Sequence, residues 1–119
     1  DEPMTMEIKG RDLVEGVPKT LLLTDEEVRE ALAEVVSAIV ESVRVALERT
    51  PPELSADIMD KGIIITGGGA LLKNIDTLIT HVTGVSARIA DEPLLCVARG
   101  TGVGLENLDV YKKNIVAKR

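Results

Sequence analysis

The stretch Lys61-Gly62-Ile63-Ile64-Ile65-Thr66-Gly67-Gly68-Gly69-Ala70-Leu71-Leu72 constrains the fold more than any other part of the chain. Three isoleucines followed by β-branched Thr66 predict a short strand buried on both faces. Three glycines come next, and then apolar residues at helical spacing: Leu71, Leu72, Ile75, Leu78, Ile79 and Val82, with Gly84 as the cap. Val85, Ala87 and Ile89 alternate with Ser86, Arg88 and Ala90, which predicts a second strand. A strand, a glycine turn and a helix make half of an α/β unit. Ligands in such folds sit outside the carboxyl end of the strand.

Glycine is what makes a ligand physically reasonable there. Lacking Cβ, Gly67, Gly68 and Gly69 can take positive φ and let a flat ligand or a phosphate lie against the backbone. The amides of the turn and of the first helical turn would then face one space, and a helix N-terminus favours an anion. The competing reading is a tight turn that only folds the helix back onto the strand. The run lacks both the G-x-G-x-x-G spacing of dinucleotide folds and the lysine of the Walker loop. Spacing alone leaves both readings open.

A chain of 119 residues, 45% hydrophobic and 29% charged, has the size of one globular domain with a modest core. Tyr111 is its only aromatic residue, so Leu, Ile, Val, Ala and Met must build that core. No aromatic platform exists for stacking single-stranded bases. The net charge of −6 argues against nucleic acid, and against an anionic membrane surface, as a partner. Lys112, Lys113, Lys118 and Arg119 read as a solvated basic terminus. One cysteine and one histidine exclude an ordinary zinc site and an internal disulfide. Cys96 is expected to be buried and His81 exposed, in a reduced, cytoplasmic setting. No apolar run approaches a membrane span and no signal sequence is visible. The start at Asp1-Glu2-Pro3, without methionine, suggests a piece of a longer protein.

The remaining elements follow from local signals. Met4, Met6 and Ile8 alternate with Thr5, Glu7 and Lys9, predicting a half-exposed strand that ends near Gly10; a turn follows at Glu15–Pro18 and Lys19–Leu23 returns, completing an antiparallel pair. Two strands are marginal alone, so this pair is expected to lean on strands from elsewhere. Thr24-Asp25-Glu26-Glu27 is a capping box. It opens a helix carrying Val28, Leu32, Val35, Val36, Ile39, Val40, Val43 and Leu47 on one face, to about Arg49, before Pro51 and Pro52 end it. A second, short helix is expected from the prolines to Met59, with Gly62 as its cap. Asp91-Glu92-Pro93 reads as a loop and Leu94–Leu108 as a last helix. That helix would hold Gly100, Gly102 and Gly104, at a cost of about 1 kcal/mol each against alanine. Close packing is the reading preferred for Gly104, while Gly100 and Gly102 stay open between packing and a ligand.

Pro51-Pro52-Glu53-Leu54, Gly62 through Leu72, and Asp91-Glu92-Pro93-Leu94 through Val97-Ala98-Arg99-Gly100-Thr101-Gly102 resemble the C-terminal part of the MreB family of bacterial actin-like proteins. Gly10-Arg11-Asp12-Leu13 and Val28-Arg29-Glu30-Ala31-Leu32 extend the resemblance over essentially the whole chain. It implies the C-terminal portion of the actin-like ATPase (ribonuclease H-like) fold, within the actin, Hsp70 and sugar-kinase superfamily. Residues 1–24 would be the end of the small cleft subdomain, and residues 25–119 most of the large subdomain. The superfamily's adenosine motif carries over onto Thr66, Gly67, Gly68, Gly69 and Ala70. The implied cofactor is ATP, with Mg2+ in the full-length protein.

The implied role is a filament that sets bacterial rod shape by organising cell-wall synthesis. Its partners would be further copies of itself, the missing N-terminal half, and membrane proteins of the elongation machinery. Its location would be cytoplasmic, with membrane-associated filaments. The departure from the family is one of extent. The Asp-x-Gly-Gly-Gly-Thr phosphate hairpins and the acids that position magnesium and water belong to the half absent here, so the chain alone is expected to be inactive. A sugar-kinase-type or Hsp70-type member of the superfamily, and an interaction module without nucleotide, are the rival readings.

Overall fold

The computed structural model describes residues 2–115. They group into two units, Asp1–Val45 and Ala46–Arg119, with the division inside the last turns of the long helix.

In the first unit, β1 (Thr5–Arg11) pairs antiparallel with β2 (Pro18–Thr24), Ile8 opposite Leu21. The turn between them is built around Asp12. Its Oδ1 accepts the N–H groups of Val14 and Glu15, at 2.9 and 3.1 Å, and Gly16 closes the loop at φ +71°. Those backbone donors, Glu15 first, favour the ionised carboxylate and hold its pKa below the usual aspartate value. The hairpin was expected to lean on further strands. Among the described residues none joins it, so its strand edges carry no additional ladder.

The capping box forms as the sequence predicts. Glu27 N–H donates to Thr24 Oγ1 at 3.2 Å, and Thr24 N–H donates to Glu27 Oε2 at 2.9 Å. From there α1 runs over Asp25–Glu48. Asp25 also accepts the Met4 N–H and pairs with Arg29, which fastens the start of the helix to the start of β1. Val40 is the buried residue of α1, whereas Val28, Leu32, Val35 and Ile39 are 40–59% exposed.

The second unit opens with α2 (Pro52–Lys61), which has Pro52 at its first position and Gly62 as its cap. β3 (Ile63–Ile65) lies parallel to β4 (Ala87–Ile89), and α3 (Ile75–Thr83) crosses between them as one βαβ unit. Buried Ile75 and Ile79 on α3, with Val85 and Ala70, form the core of this unit. Thr80 fastens helix to strand: its hydroxyl donates to Asp76 O and accepts the Ala87 N–H at 2.9 Å.

Several expectations are corrected here. β3 is not buried on both faces: Ile63 and Ile65 are half-buried, but Ile64 is 52% exposed. Only β4 pairs with it among the described residues, so a two-stranded sheet leaves one of its faces uncovered. No α-helix starts at the glycines. Gly68–Leu71 is a single 3-10 turn, and α3 begins only after Asn74, which sits at φ +64°. The left-handed residue redirects the chain, leaving Leu71 62% exposed outside the helix.

The last helix is also interrupted. A 3-10 turn at Pro93–Leu95 leads into α4 (Cys96–Glu106), which breaks at Asn107 before α5 (Leu108–Tyr111). At the break the Asn107 side-chain amide donates to Val103 O at 3.0 Å, competing with a continued helix. A Cβ at Gly104 would meet nothing within 4 Å, so close packing does not explain that glycine in this structure. Cys96 is half-buried where a buried thiol was expected, and His81 is exposed as expected. Lys112 and Lys113 are exposed, while Lys118 and Arg119 of the basic terminus lie outside the described residues.

Candidate functional site

β3 ends at Ile65, and the five residues Thr66–Ala70 form one turn at its carboxyl end. Thr66 is exposed and Gly67 half-buried; Gly68 and Gly69 are exposed, and Ala70 is 1% exposed. Ala70 therefore seats the turn in the core, while the preceding glycines form its outward side.

Gly67 takes φ +80° and ψ −173°. This region is essentially closed to residues with a Cβ, so one glycine of the three is required by the backbone alone. Its N–H donates to Pro93 O at 2.8 Å. Ala70 N–H donates to Gly67 O at 3.2 Å and Leu72 N–H to Gly69 O at 3.2 Å, which completes the 3-10 turn.

Gly68 and Gly69 are different. Neither has a positive φ, and a Cβ at Gly69 would meet nothing within 4 Å. At Gly68 the nearest atom would be Leu94 Cδ2 at 3.8 Å, an ordinary van der Waals contact. The fold itself would accept side chains at both positions. Their N–H groups are the first donors of the 3-10 turn and find no acceptor among the described residues. Two exposed donors on a side-chain-free surface can be met by a ligand's acceptor atoms at close range. The dipole of a full helix, expected from the sequence, does not contribute, because the turn is four residues long.

Asp91-Glu92-Pro93, expected from the sequence to be a loop, is bonded to the glycine turn in the structure. Ala90 N–H donates to Ile65 O at 3.0 Å, Pro93 O receives Gly67, and Leu94 lies beside Gly68. Glu92 itself is left-handed at φ +45° and pairs with Arg99 of α4. The proline was the visible signal for a turn. Nothing local in the sequence indicates that its carbonyl meets Gly67. Among the described residues no group of three or more His, Cys, Asp or Glu side chains is placed to hold a metal ion.

The family model for MreB/Mbl protein matches residues 1–113. The chain is 54% identical over 108 residues to the cell shape-determining protein Mbl of Bacillus cereus, covering 91% of this chain and 32% of that protein. It is 49% identical over 111 residues to the cell shape-determining protein MreB of Escherichia coli K12, covering 93% and 32%. Among solved structures it is similar to MreB5 of Spiroplasma citri bound to ADP, with TM-score 0.83 and 39% identity, covering 95% of this chain and 34% of that one. The AMPPNP-bound form of the same protein gives TM-score 0.83 and 38% identity, covering 96% and 34%. The chain thus spans about a third of the length of the relatives it matches.

Proposed function

Because the chain belongs to the MreB/Mbl family and has the actin-like fold, we propose that it is the C-terminal portion of an ATP-binding protein that polymerises into filaments and determines bacterial cell shape. The whole protein's activity would need residues outside this chain, including those for Mg2+. Residues 1–24 would be the end of the small cleft subdomain, and residues 25–119 most of the large subdomain.

The observation that carries the nucleotide part of this reading is the turn at Thr66–Ala70. It combines a backbone conformation that needs glycine at Gly67 with N–H donors at the exposed residues Gly68 and Gly69 that are unpaired among the described residues. The ADP- and AMPPNP-bound states of the similar MreB5 support the choice of ligand class. In this reading Gly68 and Gly69 donate to acceptor atoms of the nucleotide, Gly67 sets the direction of the turn, and Ala70 anchors it. Thr66, exposed at the strand end, borders the same surface. Bound ATP would supply the phosphoanhydride chemistry, while this chain's own part is to bind and orient. Filament contacts with further copies, attachment to the membrane, and engagement of elongation-machinery membrane proteins complete the proposed role. Among the described residues no helix is long and apolar enough to cross a membrane.

The test is Gly68→Val in the full-length protein, titrated with a fluorescent ATP analogue. A branched side chain there intrudes on the ligand surface, while the positions around it leave the fold room. The expected result is loss of nucleotide binding with an unchanged melting temperature in the absence of nucleotide. Gly104→Ala, in open space on α4, should bind like the parent. A Gly68→Val protein that folds and binds like the parent would remove the turn from the nucleotide site.

A further inference from the structure

Outside the turn, the Asp91–Pro93 loop carries both an ion pair to α4 and the backbone bond to Gly67. Glu92 holds a left-handed backbone, φ +45° and ψ +62°, which a non-glycine residue adopts only when its surroundings impose it. Two contacts from α4 reach this segment. Arg99 Nη2 donates to Glu92 Oε2, and the Cys96 thiol lies 3.7 Å from the carbonyl oxygens of both Asp91 and Glu92. The next residue, Pro93, accepts the Gly67 N–H, and its 3-10 turn is closed by Leu95 N–H donating to Glu92 O at 2.9 Å. A continuous path therefore runs from the Arg99 guanidinium through Glu92 and the Pro93 carbonyl to Gly67, which sets where the Gly68 and Gly69 donors point.

We propose that Glu92 and Arg99 are positioning residues for the nucleotide turn, acting through the Pro93 carbonyl and not by touching the ligand. The proposal rests on reading Thr66–Ala70 as part of a nucleotide site. Both side chains are more than half exposed, so the pair adds little to global stability and is sensitive to salt. Its effect is local: without it Glu92 relaxes toward an ordinary conformation and Pro93 O moves away from Gly67.

The experiment uses the full-length protein, a fluorescent ATP analogue, and four variants: Glu92→Gln, Arg99→Gln, the exchange Glu92→Arg with Arg99→Glu, and Gly68→Val. Each single neutralisation should weaken analogue binding about two- to fivefold, the range open to an exposed pair, with no change in melting temperature without nucleotide. The exchange should recover most of the loss. The gap between parent and Glu92→Gln should narrow at about 1 M salt, where the pair is screened in the parent as well. Singles that bind like the parent, an exchange that folds without recovery, or melting temperatures that fall in step with affinity would each overturn the positioning role. If Gly68→Val also binds like the parent, the failure belongs to the nucleotide-turn reading. If Gly68→Val alone loses binding, only the role of the pair is lost.

Discussion

Gly62 and Gly67 bracket the three-residue strand β3 in nearly the same backbone conformation, φ +79° and ψ −171° before it, φ +80° and ψ −173° after it. Both entry to and exit from the strand thus depend on a region that only glycine enters readily. The two differ in what surrounds them. A Cβ at Gly62 would sit 2.5 Å from the Ser86 carbonyl oxygen, while one at Gly67 would meet nothing within 4 Å. Gly62→Ala therefore combines backbone strain with collision against Ser86, the residue before β4, whose carbonyl receives the Ile63 N–H at 2.8 Å. The expected loss is about 2–4 kcal/mol, read from urea melts of the full-length protein. An unchanged midpoint would mean that Gly62 serves only as the cap of α2.

Among the elements, α1 is the one whose start is fixed by chemistry local to the sequence. Thr24 and Glu27 satisfy each other's backbone donors, and Asp25, Glu26 and Glu27 place negative charge in the first turn. Thr24→Ala removes the hydroxyl that receives Glu27 N–H, and the capping loss should be about 1 kcal/mol. Denaturation midpoints of the parent and mutant proteins measure it, and Thr24→Ser should recover most of the difference. α3 is placed differently. Asn74 starts it in a left-handed turn, Gly84 ends it with its N–H on Thr80 O, and Thr80 holds β4 through the Ala87 N–H. This helix is positioned by its neighbours as much as by its own propensities.

At the scale of the whole molecule, each unit has a small core and a large exposed apolar surface. In the first, Met6, Leu22 and Val35 are about 60% exposed; in the second, Leu94, Val97 and Leu105 are 64–76% exposed. A surface of this kind is ordinarily covered by further protein, in keeping with a chain that spans about a third of its relatives. Purified alone, the chain should self-associate in a concentration-dependent way. It should bind ATP feebly, since the glycine turn proposed for the nucleotide would be only one wall of a site and small-molecule sites usually bury most of their ligand. Light scattering with and without ATP and magnesium is the measurement. Scattering should rise with concentration and ignore nucleotide, whereas growth that required ATP would overturn the assignment of the missing groups to the rest of the protein.

The sequence by itself determined what depends on neighbours along the chain. The Thr24–Glu27 box, the proline stop at Pro51-Pro52 and the Gly84 cap act within a few residues, and each appears where its pattern predicts. The strand predicted by Met4, Met6 and Ile8 also forms, but with every residue exposed where one half-exposed face was expected. The resemblance carried by the Gly62–Leu72 and Asp91–Gly102 motifs identified the family by the same kind of reading, motif by motif. Tertiary structure decided how Gly67 is pinned to Pro93, why Gly62 faces Ser86, where α3 begins, and which isoleucine of β3 stays uncovered. These are pairings between segments distant in sequence. They depend on which backbone groups the sheet and its crossover helix bring within hydrogen-bond reach, a matter of three-dimensional geometry that neither periodicity nor propensity encodes.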